Sequence, residues 1–225
     1  GSSYTVIAKA MDTSNNWTTA YSTNTFTFDS TLPISTVTSP SNGSTISSLT
    51  TISGTASDNV GVNSVAVAVQ RLSDNQYWLG ASWSAGPAWL TATGTNPSWS
   101  YTGLTTANLT SGTSYQILCR ATDLASNVET PGVGITFTYL APLDAPTLTA
   151  TEVTNSSIKW VWTDVANEDG YRVKTATNSV VADLSANTIT YQHINLSPNT
   201  LYSVYMEAYN AGGINTSTVV SKYTL

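Results

Sequence analysis

Apolar and polar residues alternate along this chain with a period of two, and no segment carries the three-to-four-residue spacing of a capped amphipathic helix. Tyr4, Val6, Ala8 and Ala10 fall on one side of the first such run, and Phe26 and Phe28 on one side of the next. Between them lies a polar segment from Asp12 to Asn16, the composition of a turn. Run, turn and run together predict a β-hairpin, because successive side chains of a strand point to opposite faces. The pattern recurs to the C-terminus, with Ile158, Trp160 and Trp162 forming its strongest apolar stripe. The expected fold is all-β.

The first hairpin has a copy. Tyr4-Thr5-Val6-Ile7-Ala8-Lys9-Ala10-Met11-Asp12 aligns with Tyr115-Gln116-Ile117-Leu118-Cys119-Arg120-Ala121-Thr122-Asp123 at an offset of 111 residues. The same offset matches Asn16 with Asn127 and Phe26 with Phe137, without a gap. A weaker third copy runs from Tyr202 to Asn210. Self-similarity of this kind marks stacked copies of one unit. Three units are expected, over residues 1–32, 33–142 and 143–225, and the first holds only the last two strands of such a unit. Since a lone hairpin is marginal in water, its remaining strands are expected from upstream sequence or from another molecule.

The third unit resembles a fibronectin type III domain. Ile158, Trp160 and Trp162 stand where that family keeps a core tryptophan on its second strand, and Tyr171 and Val173 follow on the third. Leu196-Ser197-Pro198-Asn199-Thr200-Leu201-Tyr202 looks like the family's approach to the penultimate strand, and the resemblance implies that the Tyr202 hydroxyl bonds back to the backbone as a tyrosine corner. The middle unit resembles the bacterial immunoglobulin-like domains found in tandem on secreted proteins. That likeness rests on Ser39-Pro40-Ser41-Asn42-Gly43, Ile52-Ser53-Gly54-Thr55-Ala56-Ser57-Asp58, Val60-Gly61-Val62 and Ala121-Thr122-Asp123. Its tryptophan-rich stretch, residues 77–99, is longer than a minimal sandwich requires and looks like an elaborated hairpin. The resemblances imply tandem immunoglobulin-like and fibronectin type III β-sandwiches.

Composition narrows the function. Charged residues make up 9% of the 225 positions, against roughly 25% in an average globular domain. Seven tryptophans and twelve tyrosines exclude a disordered chain, which lacks such aromatic content. A net charge of −6 with only seven scattered Lys and Arg argues against nucleic acid and anionic membrane surfaces. No apolar run approaches the roughly 18 residues of a spanning helix, and none reads as a signal peptide. A secreted parent is expected to carry its targeting segment elsewhere. The single cysteine, Cys119, excludes an intrachain disulfide framework and reads as a small buried hydrophobe or a free thiol.

Candidate chemistry is sparse. His193 and Cys119 lie in different units, no nucleophile or phosphate-binding motif occurs, and Asp164, Glu168 and Asp169 read as solvated loop charge. The chain is expected to be no enzyme and to need no organic cofactor. Calcium is the one metal the pattern suggests. The second–third and sixth–seventh strand loops of an immunoglobulin-like sandwich emerge at the same end, which brings Asp58 and Asn59 toward Asp123 and Asn127. Hard oxygen donors from two loops suit Ca²⁺; the alternative is that Asp123 and Asn127 serve their own turn as Asx residues. Trp78, Trp83 and Trp89, with Trp99, offer flat faces for stacking a neutral glycan, or else core area. Six Asn-x-Ser/Thr sequons begin at Asn16, Asn42, Asn108, Asn155, Asn195 and Asn215, and matter only where the host glycosylates.

Two functions stay open at this point. One is a structural segment (stalk, spacer or filament) at the cell surface or outside it, whose partners are neighbouring domains or adjacent copies. The other is an adhesin or a carbohydrate-binding accessory of an extracellular enzyme, with a glycan or cell-surface ligand.

Overall fold

The computed structural model describes residues 1–225 and contains strands, loops and one 3₁₀ turn at Thr106–Asn108. Strand β1 (Ser2–Ala8) pairs antiparallel with β2 (Ser22–Phe28), Tyr4 opposite Phe26, and the two form a sheet by themselves. Every residue of both strands is exposed. The hairpin does not fold back onto the middle sandwich: Tyr4, Val6, Phe26 and Phe28 are each at least half exposed.

The middle sandwich follows, with β3 (Ile34–Ser39), β4 (Ser44–Ile46), β5 (Ile52–Ser57), β6 (Val62–Arg71), β7 (Gln76–Trp78), β8 (Trp83–Ser84), β9 (Leu90–Thr91), β10 (Ser98–Tyr101), β11 (Thr113–Asp123) and β12 (Ile135–Tyr139). One sheet has the order β10-β5-β3; the other runs β4-β12-β11-β6-β7-β8, with β9 also paired to β6. Register explains the core. Ile117 lies opposite Val69, Cys119 opposite Val67 and Ala121 opposite Val65, so the central stretch of one face of the β11–β6 pair is apolar and buried. Gly54 is fixed by close packing, since a Cβ there would meet the Thr36 carbonyl and the Trp99 ring. The tryptophan-rich stretch is not one hairpin. Only β7 and β8 form one; β9 returns to the same edge of β6 and β10 joins the opposite sheet.

The third sandwich contains β13 (Leu148–Val153), β14 (Ser157–Trp162), β15 (Gly170–Thr175), β16 (Val180–Ser185), β17 (Thr190–Ile194), β18 (Leu201–Asn210), β19 (Gly213–Thr216) and β20 (Val220–Tyr223). Its sheets are β13-β14-β17 and β16-β15-β18-β19, with β20 on the first half of β18. Alternation along β14 buries Ile158, Trp160 and Trp162 as the sequence predicts. Tyr171, Val173, Met206 and Ala208 meet them from the facing sheet. The Tyr202 hydroxyl accepts a hydrogen bond from the Ser197 amide at 2.9 Å, closing the expected corner. Residue contacts group the chain into two compact units: Gly1–Ser44, Leu49–Thr105 and Ser114–Phe137 in one, Thr45–Ser48, Thr106–Thr113 and Thr138–Leu225 in the other.

One buried charge is expected to make the third sandwich acid-sensitive. Glu207 on β18 is 3% exposed and accepts from Lys174 Nζ at 2.7 Å and Arg172 Nη1 at 3.0 Å. Burial pushes its carboxyl up, but the hydrogen bonds and charges of Lys174 and Arg172 outweigh that and hold its pKa below the ordinary glutamate value. A depressed folded-state pKa gives stability that is present above the unfolded value and is lost as pH falls through the folded one. The stability gap between the native chain and Glu207→Gln is therefore expected to be widest near pH 7 and to narrow below about pH 4.3. Urea unfolding at a series of pH values measures it; a gap that widens on acidification contradicts the assignment.

Candidate cation cluster and tryptophan edge

Two loops and a linker converge at one end of the middle sandwich. Strand β5 is followed by Asp58, whose Oδ1 accepts from the amides of Val60 (2.8 Å) and Gly61 (3.0 Å), turning the chain into β6. Gly61 takes φ +135°, a conformation side-chain-bearing residues rarely adopt. Its carbonyl accepts from the Leu124 amide at 3.0 Å, tying this loop to the one after β11. There Asp123 Oδ1 accepts from the Asn127 amide and Oδ2 from Asn127 Nδ2, both at 2.7 Å. The same device recurs in the first hairpin, where Asp12 accepts from the amide and Nδ2 of Asn16 at 2.9 and 3.1 Å. The Asx-turn role is thus present in both copies.

The linker after β2 adds Asp29, which the sequence reading missed. One carboxylate oxygen from each of Asp29, Asp58 and Asp123 lies within 4.8 Å of the others. Asp29 Oδ1 accepts from the Thr31 amide at 3.2 Å and Asn59 Nδ2 at 3.3 Å, and the Gly1 amino group stands 3.6 Å away. Burial pushes the Asp29 carboxyl up, yet these donors and the amino-terminal charge outweigh it and leave its pKa below the usual aspartate value. Asn127 Nδ2 also reaches the carbonyls of Asp29 (3.1 Å) and Thr31 (3.4 Å). Of the four residues expected to supply calcium oxygens, Asp58 and Asp123 are brought together. Asn59 and Asn127 stand beside them as donors: their amide nitrogens, not oxygens, face the cluster, because carboxylates and carbonyls surround them.

The tryptophans divide differently from the expected stacking platform. Trp78 is 3% exposed, with its indole N–H on the Gly103 carbonyl at 3.0 Å, so it presents no face to a sugar. Trp99 is likewise buried and donates to the Thr55 carbonyl at 3.1 Å. Trp83 is half-buried against Trp78 and Tyr115, with the Arg71 guanidinium 4.9 Å from its ring centre. Trp89 is half-buried, and the Arg120 guanidinium lies 4.3 Å from its centre, covering one face.

Of the residues weighed for catalysis, Cys119, His193 and Glu168 are held by their surroundings, Glu168 being buried where solvated loop charge was expected, while Asp164 and Asp169 lie exposed. Cys119 is buried in β11, and burial pushes its thiol pKa up. His193 packs between Tyr191 and Tyr202, and burial holds its pKa below the ordinary value. Asp164 accepts from the Tyr171 hydroxyl at 3.0 Å, Glu168 from the Asn187 amide at 2.7 Å, and the Asp169 amide donates to Tyr209 at 2.7 Å. No helix is long and apolar enough to cross a membrane.

Residues 33–117 match the family described as "Bacterial Ig domain". Similar solved structures include the FN1–FN3 domains of chicken CNTN1, at 18% identity over 99% of this chain and 75% of that one, with a TM-score of 0.41. A two-domain fibronectin type III segment of chicken tenascin is 17% identical over 85% and 98% of the two chains, with a TM-score of 0.42. The Clostridium thermocellum CbhA fibronectin(III)-like modules are 14% identical over 84% and 91%, at 0.38. A search of curated proteins gives no match.

Proposed function

We propose that this chain, a tandem of immunoglobulin-like modules ending in a fibronectin type III-like sandwich, is a non-catalytic structural segment of a secreted or cell-surface multidomain protein. The observation that carries this reading is the use made of the large aromatics. Trp78, Trp99, Trp160 and Trp162 fill sandwich cores, and Trp83 and Trp89 are clamped by arginines. The tryptophans of the middle and third sandwiches therefore leave few broad faces for a ligand; Trp17, 56% exposed, belongs to the first hairpin. A spacer needs folded bulk and a soluble surface, and the Ser/Thr/Asn-rich exterior supplies the second. Its partners are neighbouring modules or adjacent copies, which the bare face of the first hairpin suits.

Affinity electrophoresis and a glycan array test the alternative of a carbohydrate-binding accessory. The expected result is no retardation by neutral polysaccharides and no array signal. Retardation abolished by Trp89→Ala or Trp83→Ala, with the fold intact by circular dichroism, overturns the spacer reading in favour of glycan binding.

A further inference from the structure

We propose that Asp29, Asp58 and Asp123 form a Ca²⁺ site that staples the linker after the first hairpin to the loop end of the middle sandwich. Three features beyond the presence of acidic residues argue for it. First, the Asp29 side chain is 1% exposed, and its Oδ2 is buried without a hydrogen-bond donor; Asp58 Oδ2 is buried without one too. A carboxylate oxygen withdrawn from water and given no donor is costly to keep. Both carboxylates belong to the same three-residue cluster, and a cation bound there would offer these oxygens a partner.

Second, the donor set suits the ion. The three oxygens lie within 4.8 Å of one another, close enough for a single cation to reach all three. The donors are all hard oxygens from separate loops, which Ca²⁺ tolerates and the stricter octahedral demand of Mg²⁺ does not. Third, the surroundings already orient the carboxylates. The Val60 and Gly61 amides hold Asp58, Thr31 and Asn59 hold Asp29, and Asn127 holds Asp123 while gripping two linker carbonyls.

The repeat supplies an internal comparison. At the offset of 111 residues, Asp29 corresponds to Leu140, and in the third copy Asn210 stands where Asp123 stands in the second. Asn210 spends its side chain on the Asn167 carbonyl and the Gly212 amide, both at 2.8 Å. The site thus belongs to one junction and is not a general property of the repeat.

Chelator-treated chain titrated with CaCl₂ by calorimetry, with ¹⁵N–¹H spectra recorded in parallel, tests this. The expected result is one saturable site, with a Kd on the order of 10⁻⁴–10⁻³ M as in other extracellular modules. Amide shifts should be confined to Thr31, Val60, Gly61, Asn127 and their neighbours, leaving Asn210 and Gly212 unmoved. Asp29→Asn and Asp58→Asn should each weaken binding at least about tenfold, since affinity follows ligand charge. The native chain's own titration stands even where a variant misfolds. No saturation by about 10 mM Ca²⁺, ten times the weakest Kd expected, overturns the proposal, as does binding that shifts other amides or survives both substitutions.

Discussion

Replacing Trp160 with alanine should cost the third sandwich about 3–5 kcal/mol, while replacing it with phenylalanine should cost about 1.5 kcal/mol or less. Trp160 has no exposed surface and lies on β14 between Ala150 and Tyr191, facing the buried side chains of β15 and β18. Truncation to alanine removes the indole's burial and leaves a cavity between two sheets that hydrogen bonding prevents from closing. Phenylalanine keeps most of the area. It also deletes an indole N–H that is buried without an acceptor, so the lost volume is partly offset by the loss of an unsatisfied donor. Hydrogen exchange at β14 and β18 amides, followed through increasing denaturant, resolves the third sandwich from the rest of the chain. An alanine cost under about 1 kcal/mol contradicts this placement, because a one-residue slip of β14 would turn all three apolar residues outward.

That register was legible in the sequence because a half-buried strand has only two sides, and Ile158, Trp160 and Trp162 share one. Tyr202 was legible through the spacing of Leu196, Pro198 and Thr200 before it. The tryptophan-rich stretch carried no such signal. Between Gly80 and Pro97 the residues show neither period, so sequence alone could not say that Trp78 turns inward while Trp83 and Trp89 lie along an edge. The cluster was half legible. Loops at one end of an immunoglobulin-like sandwich converge by topology, which placed Asp58 near Asp123. Asp29 sits in a linker outside those loops, and it reaches them only because the chain enters β3 at that end. Nor does an asparagine announce which end of its amide will face a neighbour. Asn59 and Asn127 became donors because the groups around them are acceptors.

The first hairpin should gain order when given the strands that its copy already has. A chain carrying residues 33–111 duplicated ahead of Gly1 is expected to raise amide protection in β1 and β2 at least about a hundredfold over the present chain, in which both strands should exchange rapidly. The ring pairs make the case. Tyr4 stacks on Phe26 with centroids 5.5 Å apart and planes at 21°; Tyr115 stacks on Phe137 at 5.3 Å and 20°. The geometry is nearly identical, yet Tyr115 and Phe137 are buried while Tyr4 and Phe26 are half exposed. Val6 corresponds in the same way to buried Ile117, Ala8 to Cys119, Ala10 to Ala121 and Phe28 to Tyr139. Leaving each large side chain in water forgoes about 1.5–3 kcal/mol, more than an isolated two-stranded sheet can offset. Duplication places Gly1 where Gly112 stands, so the added strands meet the hairpin in the register they keep with β11 and β12. The decisive readout is protection at Tyr4, Val6 and Phe26. Strong protection there in the dilute, unduplicated monomer, or none gained in the duplicated chain, would show that the hairpin is not half of such a sandwich.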